Sequence, residues 1–327
     1  MLAIPEPPIA AGSVGLRILQ PGLNRAILRA LSRSEMSVGA LCGHLMLESD
    51  TTLREQLGHL ELAGTVEPEG EATKARGAYR LTTAGADLLE VMALIGVWLT
   101  GRPRRPLSPE SEVAWHAVTA LGDGWELSLI HHLLLRPRTK AELLAAIPVL
   151  GAGKAKRILR RLRGAGLVTA LDGAGRAPRF ALTAWARRAI AILAITARWE
   201  GRHLNGTAEP VSASHGAVAL LATLPLIRVP DSASGTCAFT VEGDPGAGPP
   251  RACAVWAAFD GGRVVACRSG TSAASPDAWV RGGVEAWLRA VIDAHPTALH
   301  LAGDVGLAER ALDALHAELF GSPPGPH

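Results

Sequence analysis

The sequence predicts an α+β protein in which two copies of one module are followed by a smaller domain of strands and helices. The first observation behind this prediction is an internal repeat, in which three landmarks recur in one order at offsets of 102, 101 and 101 residues. A repeat at a fixed period indicates duplicated structural units. The landmark pairs are Ala63–Val66 with Ala165–Val168, Tyr79–Thr82 with Phe180–Thr183, and Trp98 with Trp199.

The second observation is the composition, which bounds the class of protein. The chain has 327 residues, of which 48% are hydrophobic and 19% are charged, and this excludes a wholly disordered chain. We place the domains at residues 1–100, 101–204 and 205–327. No uncharged apolar stretch reaches about 18 residues, so no membrane span is expected. The four cysteines are widely spaced, which favours free thiols and a cytoplasmic location.

The third observation is that the basic charge is concentrated in the middle third of the chain. Residues 101–204 carry a net charge of +11, whereas residues 1–100 carry −3 and residues 205–327 carry −5. A basic folded segment is typical of a protein that binds a polyanion, most often nucleic acid. A solvated basic surface is the alternative.

The elements of the module are read most clearly in its second copy. Apolar residues at 155, 158, 159 and 162 follow the spacing of one buried helical stripe, and glycines at 164 and 166 end that helix. The helix that precedes this basic helix begins after Thr139, which is placed to cap it, and ends at Pro148. The predicted elements are helices over 127–134, 141–147 and 154–163, strands over 167–171 and 179–182, and a long helix over 185–199.

Three helices, a two-stranded ribbon and a closing helix are the elements of a winged helix-turn-helix domain, whose third helix enters the major groove of DNA. Several segments of the second copy resemble the HxlR group of bacterial winged-helix regulators. The resemblance implies that the partner is double-stranded DNA and that the flanking helices form a homodimer or, in a tandem chain, an internal pseudo-dimer. The segments are Gly122–Trp125, Arg138–Leu143, Leu159–Leu162, Gly166–Val168 and Pro178–Thr183.

Basic side chains of the third helix and of its surroundings are the candidate DNA contacts. The third helix carries six cations and no acid, whereas a surface helix that is basic only for solubility usually mixes both signs. In the first copy the equivalent helix keeps only one of the six cations, as Arg54, and carries the acids Glu55 and Glu61. We therefore predict that the first copy is degenerate. The candidates are Arg138, Thr139, Lys154, Lys156, Arg157, Arg160, Arg161, Arg176 and Arg179.

The last third of the chain predicts a small sheet with helices on it. Strands are expected over 236–241, 252–259, 264–268, 278–281 and 298–301, and helices over 217–224, 284–293 and 304–320, with Asp304 as a helix cap. This order, with Val284–Leu288 and Leu301–Asp304, is similar to the sterol-carrier-protein type of domain. The resemblance implies an apolar small-molecule ligand held between sheet and helices. The candidate lining residues are Phe239, Trp256, Phe259, Trp279 and Trp287, with a solid core as the alternative.

No catalytic motif is found in the sequence. Gly153 and Lys154 lack the Ser or Thr and the leading Gly of a phosphate-binding loop, and neither a nucleophile elbow nor an HExxH motif occurs. We therefore predict no enzyme activity, no cofactor and no metal. The expected function is a DNA-binding transcription regulator that responds to an apolar molecule. The alternatives are a resistance protein that sequesters a small molecule between its winged helices, and an architectural DNA binder without a ligand.

Overall fold

The computed structural model describes residues 13–69, 77–103, 106–122, 124–173, 176–204, 211–243, 252–270 and 275–321. It is a mixed α+β structure, which confirms the predicted class. Its contacts divide the chain into two compact units. Of the described residues, unit 1 contains those within 124–194 and 211–321, and unit 2 contains those within 13–122 and 195–204.

Unit 2 holds the first copy of the module, the helix over 112–122 that follows it, and residues 195–203, which end the last helix of the second copy. A three-stranded antiparallel sheet has the order β1-β3-β2. The elements are α1 (Val14–Leu19), α2 (Gly22–Leu31), β1 (Met36–Ser37), α3 (Val38–His44), α4 (Asp50–Leu62), β2 (Val66–Pro68), β3 (Ala78–Leu81), α5 (Thr83–Thr100) and α6 (Glu112–Gly122).

The second copy, in unit 1, has the same order of elements. Its sheet has the strand order β4-β6-β5, which corresponds to β1-β3-β2 of the first copy. Strand β4 begins 102 residues after β1, and helices α8 and α9 begin 102 residues after α3 and α4 respectively. The elements are α7 (Gly124–Leu135), β4 (Arg138–Thr139), α8 (Lys140–Ala146), α9 (Ala152–Ala165), β5 (Val168–Gly173), β6 (Arg176–Leu182), α10 (Ala184–Arg188) and α11 (Ile190–His203).

The helix predicted over 185–199 is interrupted at Ala189. The backbone N–H of Ala189 bonds to the carbonyl of Ala186, three residues back, which tightens and ends α10. Next to this break Arg187 donates to the carbonyl of Ala222 at 3.2 Å, and Arg188 pairs with Glu318 at 2.7 Å. Contacts with the C-terminal part of unit 1, which the local sequence does not reveal, therefore accompany the break.

The division into units differs from the three domains expected from sequence, whose boundaries stay a prediction. The end of α11 belongs to unit 2, where the Trp199 indole donates to the carbonyl of Ala84 at 2.7 Å and His203 lies 2.7 Å from Asp87. Helix α6 also lies in unit 2, where the Arg25 guanidinium stacks 3.6 Å from the Trp115 ring centre. These contacts join segments that are distant in sequence.

The C-terminal part of unit 1 is a five-stranded sheet with helices on one face. The strand order is β11-β10-β7-β8-β9, with β10 parallel to β7 and the other neighbours antiparallel. A tight turn joins the fourth and fifth strands in this order, with positive φ at Gly261 and Gly262. The elements are α12 (Ala213–Thr223), β7 (Gly235–Glu242), β8 (Cys253–Asp260), β9 (Arg263–Ser269), β10 (Ala278–Gly283), α13 (Val284–Ile292), β11 (His300–Gly303) and α14 (Val305–Phe320).

Helix α5 is, by length and composition alone, long and apolar enough to cross a membrane. Its buried side chains include Leu88, Val91, Ile95 and Leu99, which belong to the core of unit 2. A buried helix of a folded domain passes the same test of length and hydropathy, so this one helix is weak evidence for a membrane span.

Candidate functional site

The segment before the third helix of the second copy is fixed by a helix cap. The Thr139 hydroxyl accepts from the backbone N–H of Glu142 at 3.2 Å, and the Glu142 carboxylate accepts from the backbone N–H of Thr139 at 2.7 Å. The bond from Thr139 and a second one from Arg136 lower the pKa of Glu142 to about 2. Thr139, which was predicted as a DNA contact, thus caps the N-terminus of α8.

Helix α9 is held by the apolar stripe that its sequence predicts. Ala155, Ile158, Leu159 and Leu162 are all buried. The helix ends at Gly166, whose φ of 83° is a left-handed conformation that glycine adopts without strain. The remaining sides of α9 are therefore free to carry its charged residues.

Four of the six cations of α9 point to solvent. Lys156, Arg157, Arg160 and Arg163 are exposed, and none of them has a hydrogen bond or ion pair within the described part of the chain. Unpaired cations on one helix keep their donors available for an external anion. These four residues form what we call the α9 basic surface.

The other two cations of α9 are turned toward α7. The Lys154 ammonium lies 4.0 Å from the ring centre of Trp125, and Arg161 forms an ion pair with Glu126, whose side chain is only 5% exposed. A buried carboxylate requires a partner, and Arg161 supplies it. This pairing is not predicted by the sequence pattern, although an acid in the mainly apolar helix α7 is a signal that indicates it.

A cleft of about 580 Å³ lies between the end of α9 and strand β5. Arg160 and Arg163 line it from the helix, and Thr169 lines it from the strand. Two unpaired guanidinium groups in a concave surface can form bidentate bonds with phosphate oxygens. The cleft thus extends the α9 basic surface toward the β5–β6 hairpin.

The other predicted contacts lie around this hairpin. Arg179 is exposed and donates to the carbonyl of Pro137 at 2.7 Å, and the backbone of Arg138 pairs with Phe180. The Arg138 Nε atom is buried without a hydrogen-bond partner among the described residues. The side chain of Arg176 lies outside the described residues, so its predicted contact stays a prediction.

The equivalent helix of the first copy, α4, has a different surface. Arg54, its one inherited cation, pairs with Asp50 at 2.9 Å, and the neighbouring Glu55 is exposed. Carboxylates on this surface repel phosphate groups. The described part of α4 therefore offers less to a phosphate group than α9 does, and the degenerate first copy stays a prediction.

The five aromatic residues predicted to line one pocket lie on two faces of the C-terminal sheet. Phe239, Phe259 and Trp287 are buried in the core that α12, α13 and α14 cover, with the Phe239 and Trp287 ring centres 6.2 Å apart. Trp256 and Trp279 project from the opposite face, where Trp279 is 38% exposed. Because side chains alternate along a strand, a single lining of all five is impossible.

Removal of Arg161 is expected to cost stability, and removal of Lys156 is not. Arg161→Ala leaves the buried Glu126 carboxylate without this partner, so we expect a loss of about 1–3 kcal/mol in the free energy of unfolding, below the range for fully buried pairs because Arg161 is largely exposed. Lys156→Ala should change it by less than about 0.5 kcal/mol. Urea unfolding measures both, and equal effects would contradict the assigned roles.

His131 on α7 makes unit 1 sensitive to acid. Burial, aided by His132, His215 and Arg138, lowers the pKa of His131 from 6.5 to about 4. The folded protein thus favours neutral His131, so stability is present above pH 6.5 and is lost as the pH falls toward 4. We expect a loss on the order of 2–3 kcal/mol over this range. Urea unfolding at several pH values measures this loss. The free energy of unfolding should depend less on pH in His131→Phe, and its pH dependence should be unchanged in the exposed control His295→Asn.

Comparisons with known proteins give one weak structural likeness. No protein-family model matches the chain, and no curated protein matches it. Among solved structures, the chain is similar to the conserved hypothetical protein TT1886 from Thermus thermophilus, titled a possible sterol carrier protein. The TM-score is 0.22 at 19% sequence identity, over 29% of this chain and 76% of that chain.

Proposed function

We propose that this protein is a DNA-binding transcription regulator whose second module, residues 124–203, is a winged helix-turn-helix domain. The α9 basic surface is the observation that carries the proposal. Lys156, Arg157, Arg160 and Arg163 are exposed and unpaired on one helix, in a segment of net charge +11. Phosphate contacts by such cations supply most of the affinity of proteins for DNA.

The order of the elements supports the same function. Helices α7, α8 and α9, with β4 beside the β5–β6 ribbon, follow the order of winged helix-turn-helix domains, in which the third helix enters the major groove. Helix α9 has 14 residues and is about 21 Å long. Two turns of such a helix suffice to bring several side chains to base edges.

The beginning of α9 also suits a phosphate group. Gly151, its N-cap residue, supplies no side-chain bond to the first backbone N–H groups, and the first turn contains no acid. Helix α8, in contrast, is closed by Thr139 and Glu142. Uncapped N–H groups and the positive end of the helix dipole favour an anion at this position.

Contacts within unit 1 give a route by which the C-terminal domain can regulate DNA binding. Helix α12 packs against α7, and Arg187 and Arg188 bind Ala222 and Glu318 in the C-terminal part. We therefore include a response to an apolar small molecule in the proposal. Such a molecule changes DNA affinity only if it binds two arrangements of these contacts unequally.

The decisive experiment is recovery of a DNA motif from fragmented genomic DNA incubated with the full chain. The unchanged protein should enrich fragments that share a motif, and Lys156→Ala/Arg157→Ala/Arg160→Ala should enrich none. Failure of the unchanged protein to retain any DNA at low salt would exclude the proposed function and favour small-molecule sequestration. Salt-dependent retention without a motif would favour the architectural DNA binder. The oligomeric state, homodimer or internal pseudo-dimer, stays a prediction.

A further inference from the structure

The six cations of α9 fall into three pairs around the helix axis. Each residue of an α-helix is rotated by about 100° from the one before it, so the buried stripe of α9 defines an outward direction on its opposite side. Arg157 and Arg160 lie within about 30° of the outward direction, one on each side of it. The other four cations lie about 70–90° away from it and form two flanks.

The two flanks have different surroundings. Lys154 and Arg161 form one flank and contact side chains of α7. Lys156 and Arg163 form the other flank, where Arg163 lines the cleft between α9 and β5. Arg160 borders the same cleft but lies nearer the outward direction than Arg163 does. A partner in front of α9 therefore meets the two central arginines first.

Glycines extend the outward side of α9 beyond both central arginines. Gly153 and Gly164 lie within about 10° of the outward direction. A Cβ atom at either position would meet nothing within 4 Å outside its own stretch of helix, so packing gives no reason for glycine there. Without side chains at these two positions, the helix backbone can approach a surface in front of it closely.

The dimensions of this arrangement match the major groove of DNA. The groove is about 12 Å wide, and an α-helix with its side chains is about 10–12 Å across. A helix that enters with its outward side turns its central residues to the base edges and its flanks to the phosphates. Arg157 and Arg160 are about 4.5 Å apart along the helix axis, which corresponds to one or two base-pair steps of about 3.4 Å.

The chemistry of arginine selects guanine among the base edges. A guanidinium group presents two parallel N–H donors, and guanine presents two adjacent acceptors, N7 and O6, in the major groove. Adenine presents one acceptor and one donor there, so it cannot accept both bonds. Arg157 and Arg160 are exposed and have no hydrogen bond or ion pair within the described part of the chain, so their donors are available.

We propose that Arg157 and Arg160 read two guanines, one or two base-pair steps apart, while Lys156 and Arg163 bind the phosphates beside them. Such readout rests on the proposed function and adds the base sequence that the second module recognises. At the positions equivalent to the two arginines the first copy has Glu55 and Gly58. Each chain therefore reads one pair of guanines.

The test is selection of duplexes from a random-sequence library by the full chain, followed by fluorescence anisotropy with the selected duplex. The selected motif should contain two G·C pairs one or two steps apart. Replacing either guanine by 7-deazaguanine removes its N7 acceptor and keeps its base pairing. Each replacement should weaken binding at least about fivefold, the lower end of the value of a bidentate base contact.

Arg157→Lys and Arg160→Lys keep the charge and remove the paired donors. Each variant should bind the selected duplex at least about fivefold more weakly and should no longer respond to 7-deazaguanine at one of the two positions. Lys156→Ala is the matched control on the neighbouring flank. It should make the plot of log affinity against log salt less steep by about 0.9 and leave the selected motif unchanged.

A motif without the two guanines, or a full response to 7-deazaguanine at both positions in both lysine variants, would overturn the proposal and leave DNA binding intact. Retention of DNA without any motif would also overturn it and would favour the architectural DNA binder. Absence of retention at low salt would overturn the proposed function together with the guanine readout. Thermal unfolding of each variant confirms that the chain is folded.

Discussion

Replacing Lys156, Arg157 and Arg160 together by alanine is expected to remove most DNA binding by the full chain. All three are exposed and unpaired on α9, so the change removes up to three contacts with DNA. A plot of log affinity against log salt should become less steep by about 0.9 for each phosphate contact that is lost, up to about 2.7. Fluorescence anisotropy with a labelled duplex at several salt concentrations measures both the affinity and the slope.

The matched control for this prediction is the equivalent helix of the first copy. Arg54→Ala/His59→Ala changes α4, where Arg54 is already paired with Asp50, and should leave the slope unchanged. Unfolding curves should show that the triple variant keeps its stability, because none of its side chains is buried. If the change in α4 weakens binding more than the change in α9 does, the DNA-binding surface has been assigned to the wrong module.

Truncation of Phe239 is expected to be the most destabilising change in the C-terminal domain. Phe239 is fully buried between the sheet and its helices, so Phe239→Ala should lower the free energy of unfolding by about 3–5 kcal/mol. Urea unfolding with linear extrapolation measures this loss.

Trp279→Ala is the comparison for Phe239→Ala, because both residues were predicted to line one pocket. Trp279 is 38% exposed on the other face, so its truncation should cost less than that of Phe239, about 1–2 kcal/mol. A small effect of Phe239→Ala would mean that Phe239 borders an open cavity, so that a ligand site between the sheet and its helices would again have to be considered.

The sequence by itself determined the local elements and the repeat. The apolar spacing of α9, the cap at Thr139 and the cap at Asp304 are all found where they were predicted, and the Asp304 carboxylate accepts from the backbone N–H of Leu307. Each of these features depends on residues within a few positions of one another, so periodicity and capping chemistry identify them.

Only the tertiary structure decided which of the predicted site residues are available. Arg161 forms an ion pair with Glu126, 35 positions away in sequence, whereas the adjacent Arg160 has no ion pair within the described part of the chain. Strand registers across the five-stranded sheet separated Phe239 from Trp279 and brought Trp279 into one row with Trp256. Ion pairs and strand registers join residues that are distant in sequence, and a one-residue change of register would move every side chain of a strand to the other face. For that reason the local pattern predicted the charges and the aromatic residues of this protein, while the packing of the chain decided which of them face a partner.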